Sequence, residues 1–330
     1  MKKIIISVLA GGDGHYEEME AAARETCFKN PPENISIYYI YNSRTWNTDV
    51  TSQVTDAVKN DKISRWLHIK ADNQTFGDTA RNIPKELYVE YLVDDEKVRH
   101  TVNEGGTLNI AVPASKRFAI IKAYYGPPDR KDERELEDGQ TKLIDDCFYY
   151  GEPATRATLL RKCVEFWGYC LENFEFDYIF RPNLGCWVSM DALSKLANTL
   201  PEEGVYGGAF GTTRGRRGGI EFISGSGFLL SRDVVQLIWD YHLNDKDITI
   251  EYDGSALVDD VALGAFLSAF RCNPDKGINI ERTKLPRIDL HEGEIDSSRI
   301  DPDCHHYYFL HPKTPNCYYL MQDAIEGFST

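Results

Sequence analysis

The chain opens on an apolar run, Ile4 to Leu9, which is rich in β-branched residues and stops at Gly11-Gly12-Asp13-Gly14. Unbroken hydrophobicity over so few residues, bounded by glycines, is the pattern of a strand buried on both faces. The pattern predicts a strand over Lys3–Leu9, an amphipathic helix over Tyr16–Phe28 and a second strand over Ile35–Tyr41. Such a βαβ opening builds a parallel sheet, and ligands of parallel sheets bind outside the carboxyl ends of the strands. The segments after the two strands, Ala10–His15 and Asn42–Asn47, are therefore the first places to look for a nucleotide.

From Asp61 to Ile144 the alternation of strand and helix lapses. Leu87–Val93 and Lys97–Val102 predict a hairpin turned at Asp94 and Asp95, and Thr107–Val112 a further strand. Pro127–Asp138 is Pro- and charge-rich and reads as a loop. Helical periodicity returns at Thr155–Asn173, with apolar residues at Leu159, Val164, Phe166, Trp167, Cys170 and Leu171. A short strand, Phe176–Phe180, then leads into Arg181-Pro182-Asn183, and a helix is expected over Met190–Leu200 with Ser189 or Asp191 as its N-cap. This organisation suits one domain over 1–330: a nucleotide-binding half (1–60), a β-rich insertion (61–144) and a catalytic half (145–330).

Composition narrows the partners. Hydrophobic residues make up 42% of the chain and aromatic residues 12%, enough for a packed core and unlike a disordered chain. The net charge of -15 argues against tracking a nucleic-acid backbone, so no nucleic-acid partner is expected. A small anion is still compatible, because Arg214, Arg216 and Arg217 form a local basic cluster. The apolar start is short for a signal peptide, and no segment approaches the roughly 18 apolar residues that span a bilayer. A soluble, cytoplasmic protein without a membrane span is expected, in the host cytoplasm if the chain is viral. The eight cysteines show neither a CxxC pair nor zinc-like spacing and read as buried free thiols.

The chemistry concentrates in Phe222-Ile223-Ser224-Gly225-Ser226-Gly227-Phe228-Leu229-Leu230-Ser231, a helix from Arg232 to Tyr241, and Val258-Asp259-Asp260-Val261-Ala262-Leu263-Gly264. A Gly-rich turn before an apolar strand, a Ser before a helix and an acidic pair opening another helix resemble the acceptor-side core of the fringe and β-1,3-galactosyltransferase group. Upstream, Phe176 to Leu196 and Tyr206-Gly207-Gly208 extend the resemblance, which covers Thr155–Gly264, about one third of the chain. It implies a GT-A fold, a Rossmann-like mixed α/β sheet flanked by helices. It also implies an enzyme that transfers a sugar from a nucleotide-sugar donor to a carbohydrate or glycoconjugate acceptor, with inversion.

In the similar families the strand before Arg181 ends in a DxD motif that holds a divalent cation on the donor diphosphate. Here Arg181-Pro182-Asn183 stands in its place, similar to an R-x-N version of this strand in glycosyltransferases of giant viruses and bacteria. Arg cannot ligate Mn²⁺ or Mg²⁺ and repels either, so weakened or absent metal dependence is expected. Arg181 then serves either as a fixed cation on the diphosphate or as the partner of a structural carboxylate.

An inverting displacement needs a carboxylate to take the acceptor proton, and Asp259 and Asp260 are the candidates. The resemblance favours Asp260 as the base and Asp259 as its support; the bland alternative is an N-cap followed by a first-turn acid. Gly225, Ser226 and Gly227, with Trp187, are expected in the donor or acceptor pocket, the alternative being a tight turn. By resemblance His306 is a metal candidate, while Lys313, with Arg181 and Asn183, is assigned to the diphosphate. Surface histidines on an aromatic strand are the alternative. Ala10, Gly11, Asp13, Asn42 and Arg44 are nucleotide candidates, although GGDG matches neither a dinucleotide nor a triphosphate fingerprint. Asp245-Lys246-Asp247 and Asp301-Pro302-Asp303 follow no buried strand and read as solvated turns. Two other readings compete: an inactive carbohydrate- or nucleotide-binding protein on the same fold, and a nucleotidyltransferase.

Overall fold

The computed structural model describes residues 1–10, 14–44, 48–60, 66–76, 85–94, 96–111, 118–126, 140–153, 156–213, 219–244, 251–252, 255–271, 279–311 and 313–328. The chain divides into two compact units, Met1–Asn42 with Leu136–Thr330, and Ser43–Glu135. The second unit thus begins and ends earlier than the 61–144 insertion expected from the sequence.

The first unit begins with β1 (Ile4–Leu9), α1 (Gly14–Glu25) and β2 (Ile35–Arg44). The second unit contains β3 (Thr48–Asp49), α2 (Thr51–Asn60), β4 (Trp66–Lys70), α3 (Asn73–Phe76), β5 (Glu86–Val93), β6 (Glu96–Asn103), β7 (Thr107–Ala111) and β8 (Phe118–Gly126). The first unit resumes with β9 (Thr141–Ile144), β10 (Cys147–Pro153), α4 (Arg156–Asn173), β11 (Tyr178–Pro182), β12 (Cys186–Val188) and α5 (Met190–Ala197). There follow β13 (Val205–Thr212), β14 (Glu221–Ser231), α6 (Arg232–Leu243), β15 (Glu251–Tyr252), β16 (Ser255–Ala256) and α7 (Asp259–Arg271). The chain ends through β17 (Glu281–Lys284), β18 (Ile288–Leu290), β19 (His306–Phe309) and α8 (Asn316–Phe328).

The fold of the first unit is mixed α/β, a large mixed sheet flanked by helices. Its strand order, among the described residues, is β17-β13-β14-β11-β1-β2-β10-β9. β1 runs parallel to both β2 and β11, whereas β14 is antiparallel to β11 and β13. The apolar run of β1 follows from burial on both faces. Ile4, Ile6 and Val8 pack with Met19 and Ala23 of α1 and with Tyr318 and Met321 of α8. Ile5 packs on the other face with Leu160 and Val164 of α4, Val235 of α6 and Leu263 of α7. A smaller sheet, β12-β19-β18, lies within the α1/α8 layer, where Trp187, Tyr307 and Phe309 join the core.

In the second unit β5 pairs with β6 in the expected hairpin, and Asp94 takes a positive φ of 58° at the turn. Leu87, Val89 and Tyr91 of β5 alternate into a separate core with Leu108, Ile110 and Tyr125. No helix among the described residues is long and apolar enough to cross a membrane.

Candidate active site at the sheet switch point

Since β2 lies on one side of β1 and β11 on the other, the strand order reverses at the β1/β11 boundary. This is the topological switch point, where an open α/β sheet leaves a crevice outside its carboxyl ends. A parallel bridge between Leu9 and Asn183 carries the β1/β11 pairing to the edge of that crevice.

Arg181, near the end of β11, is 1% exposed, and an arginine this buried must be paired. Its Nη2 donates to Asp259 and its Nη1 to the Gly225 carbonyl at 2.6 Å. On the same glycine the backbone N–H donates to Asp260 Oδ2 at 2.7 Å, and Asp260 Oδ1 accepts from the Val261 N–H at 2.8 Å. One residue of β14 therefore links the arginine to the acid beside its partner. A side chain at 225 has little room, because a Cβ there would lie 3.1 to 3.2 Å from the Asp260 carboxyl group. Asp259 and Asp260 occupy the first turn of α7, where the helix dipole favours negative charge.

Burial, followed by the charge of Asp259, raises the pKa of Asp260, against the opposing pull of the Gly225 N–H and Arg181. Burial works to lower the pKa of Arg181, but Asp259, Cys163 and Asp260 outweigh it and the guanidinium stays charged. The arrangement gives a locked ion pair beside a carboxylate made more basic than an exposed one.

The pairing of β14 with β13 shifts register between Phe228 and Ile223, so residues 224–227 break the regular alternation, and Ser224 and Ser226 both reach Arg287. Arg287 Nη1 donates to Ser224 Oγ at 3.1 Å and Ser226 Oγ at 2.9 Å. Its Nε lies 2.7 Å from Asp289, and its guanidinium carbon 5.1 Å from the Tyr308 ring centroid. Lys313 Nζ reaches the same tyrosine, 2.9 Å from its hydroxyl. Asn183 connects the groups: its N–H donates to the Ser226 carbonyl at 3.2 Å, and its Oδ1 accepts from the Gly185 N–H at 2.8 Å.

Sequence reasoning missed Arg287, Asp289 and the fully buried Lys162. Lys162 Nζ donates to the carbonyls of Ala10 (3.2 Å) and Ile40 (3.3 Å), tying together the carboxyl ends of β1 and β2. Burial lowers its pKa to about 8, modulated by Cys163, Arg181 and Asp259. Its place four residues before Phe166, on the buried face of α4, was the available signal.

Several expectations change in detail. Phe222 to Ser231 is not a turn followed by a strand but lies in the single strand β14; Gly225 accommodates Asp260, and Gly227 accommodates His306. Trp187 is a core residue rather than a pocket wall, its ring 6.2 Å from that of Tyr318. His305 and His306 are buried, not at the surface, and burial pushes the pKa of His306 well below the ordinary histidine value. Ala10 is buried and presents its carbonyl to Lys162. Gly11 and Asp13 lie outside the described residues, as do the side chains of Asn42 and Arg44, the Arg214–Arg217 cluster and Asp245–Asp247. Asp301 and Asp303 form the expected exposed turn.

The residues at the end of β11 do not fit a divalent cation: an ion there would face the Arg181 guanidinium, which already holds the Asp259 carboxylate. His306 Nε2, the other metal candidate, makes no hydrogen bond. Among the described residues no three His, Cys, Asp or Glu side chains converge around it or elsewhere. The seven described cysteines are free thiols. No protein-family model matches the chain, and no curated protein matches its sequence.

Proposed function

We propose that the chain is an inverting glycosyltransferase of the GT-A type, resembling the fringe and β-1,3-galactosyltransferase group. It moves a sugar from a nucleotide-sugar donor to a carbohydrate or glycoconjugate acceptor. The supporting observation is Asp260, a carboxylate of raised pKa held by the Gly225 N–H beside the Arg181–Asp259 ion pair. In the reaction the acceptor oxygen forms its bond to the anomeric carbon as the carbon–phosphate-oxygen bond breaks. The hydroxyl proton passes to Asp260, and the electron pair leaves with the nucleoside diphosphate. Arg181 is a positioning residue in this scheme, and no step requires a metal ion.

The test begins with thermal unfolding against UDP-, GDP- and dTDP-sugars, with and without EDTA. One donor stabilises the protein by about 2.7 kcal/mol at a hundredfold excess over Kd, and EDTA leaves the effect unchanged. Asp260→Asn keeps that stabilisation and loses transfer, and the wild-type rate falls on the acid side at a pH above the ordinary carboxylate range. Turnover that survives Asp260→Asn refutes the role of the residue.

One observation favours a second reading, a nucleotide- or carbohydrate-binding protein without turnover. Arg181 is 1% exposed and its Nη atoms already donate to Asp259 and the Gly225 carbonyl, so it offers a diphosphate no exposed N–H. That reading predicts donor binding by the wild-type protein with no sugar transfer.

A further inference from the structure

Helix α4 does not cover its face of the sheet to the amino-terminal edge. On β2 the row facing α4 runs Ile40, Tyr38, Ser36 toward that edge. Ile40 is fully buried in the core shared with Leu160 and Val164 of α4, Tyr38 is half-buried against Phe166 and Phe174, and Ser36 is exposed. The helix stops at Asn173, and the chain turns through Phe174 toward β11. A cavity of about 310 Å³ remains between the segment Asn173–Phe176 and the starts of β1 and β2. That is the lower end of the range for small-molecule sites, roughly 300–1,000 Å³, and gives room for a single ring.

Phe174 forms a fixed aromatic wall of the cavity, its ring stacked on Tyr38 at 5.3 Å and edge-on to Tyr169 at 5.8 Å. Ser36, Lys3, Glu33 and Glu175 line the same space, and all four are exposed. Among the described residues the Ser36 hydroxyl has no hydrogen-bond partner, and neither the Lys3 ammonium nor either carboxylate enters an ion pair. Asn173 Nδ2 donates to the Tyr169 carbonyl at 2.8 Å, which leaves its Oδ1 as a further acceptor. Unspent donors and unspent acceptors of both charge signs therefore converge beside an apolar ring. A neutral molecule dense in hydroxyls suits such a set, because every hydroxyl both donates and accepts, and the C–H face of a sugar can lie on the aromatic wall. A small ion would be drawn by one charge and repelled by the other.

We propose that this cavity is a carbohydrate-binding subsite for one neutral pyranose ring, distinct from the crevice at the carboxyl ends of the strands. The β1 residues Ile5 to Leu9 separate the two, roughly 13 Å at about 3.3 Å per residue. The subsite stands on its own lining and does not require the transfer reaction. Under the glycosyltransferase reading it holds an acceptor glycan away from its reacting end.

The experiment is a heteronuclear NMR titration of the whole chain with the methyl glycosides of glucose, galactose, mannose and N-acetylglucosamine. The wild type binds at least one of them, with shifts at Ser36 and Asn173–Phe176 and an affinity that changes little as salt is raised. Glu175→Ala and Lys3→Met each weaken binding about tenfold, the size expected for losing one hydrogen bond to a charged group. Ser36→Trp fills the cavity and abolishes binding, whereas Asp260→Asn leaves it intact. Equal ligand-free melting temperatures confirm that the variants fold. The proposal is overturned if no glycoside binds, if affinity is unchanged in both Glu175→Ala and Ser36→Trp, or if tetramethylammonium binds there and the glycosides do not. Binding lost in Asp260→Asn and kept in Ser36→Trp places the sugar in the crevice and also overturns it. Ser36-dependent glycoside binding by a chain that transfers no sugar upholds the subsite and sinks the glycosyltransferase reading.

Discussion

Arg181→Met removes one member of a buried ion pair and leaves Asp259 facing the Phe228 side of the core, which Arg181 now overlies at 5.3 Å. Arg181 is 1% and the Asp259 side chain 13% exposed, so water cannot replace the lost partner. Two unit charges about 4 Å apart interact by about 4 kcal/mol at an effective dielectric of 20, and single truncations of buried pairs cost about 3–5 kcal/mol. The Gly225 carbonyl also loses its guanidinium donor and keeps only the weaker Asn183 contact at 3.4 Å. For a chain of 330 residues, whose unfolding entropy is about 0.7 kcal/mol per kelvin, the loss lowers Tm by roughly 4–7 °C. Asp259→Leu, made in the Arg181→Met background, removes the stranded carboxylate and recovers most of the stability. The assay is denaturant unfolding of wild type, both single variants and the double variant. A coupling of about 2–4 kcal/mol is expected, whereas effects that add to within about 0.5 kcal/mol refute the ion-pair account.

Lys162 and Gly227 give two further tests. Burial holds the folded-state pKa of Lys162 at about 8 against 10.5 in the unfolded chain, so the native state binds fewer protons between those values. Its contribution is present above pH 10.5 and lost as pH falls through about 8; Lys162→Met therefore gains most on wild type at pH 7, and the difference shrinks by pH 10. Urea midpoints at the two pH values measure this, and a constant difference contradicts it. Gly227→Ala places a Cβ 2.6 Å from His306 Cε1 and 3.0 Å from Phe180 Cζ, and the overpacking costs about 1–3 kcal/mol. A Tm within one degree of wild type shows that the His306 ring can move aside.

The sheet was largely legible because its central strands are hydrophobic without alternation. Ile4–Leu9 was readable as an apolar run, as was Phe176–Phe180, whose strand in the structure is Tyr178–Pro182, and α4 was readable as a periodic stripe. β14 was only half legible, since Gly225 and Gly227 interrupt the apolar signal for reasons of packing against Asp260 and His306. The acidic pair was visible as chemistry, but its link to Arg181 joins residues 78 positions apart and leaves no local trace. A buried lysine such as Lys162 resembles in sequence any lysine at a helix margin, and only the carbonyls of Ala10 and Ile40 reveal its place. Arg287 follows β17 with no motif around it, so its grip on the β14 serines emerges only from the fold.

The bare backbone at Gly225 has one more effect. Its N–H holds Asp260 and its carbonyl holds Arg181, so both contacts come from main chain that every residue type shares. The junction thus depends on where the backbone runs, and what the sequence must supply at 225 is only the absence of a side chain.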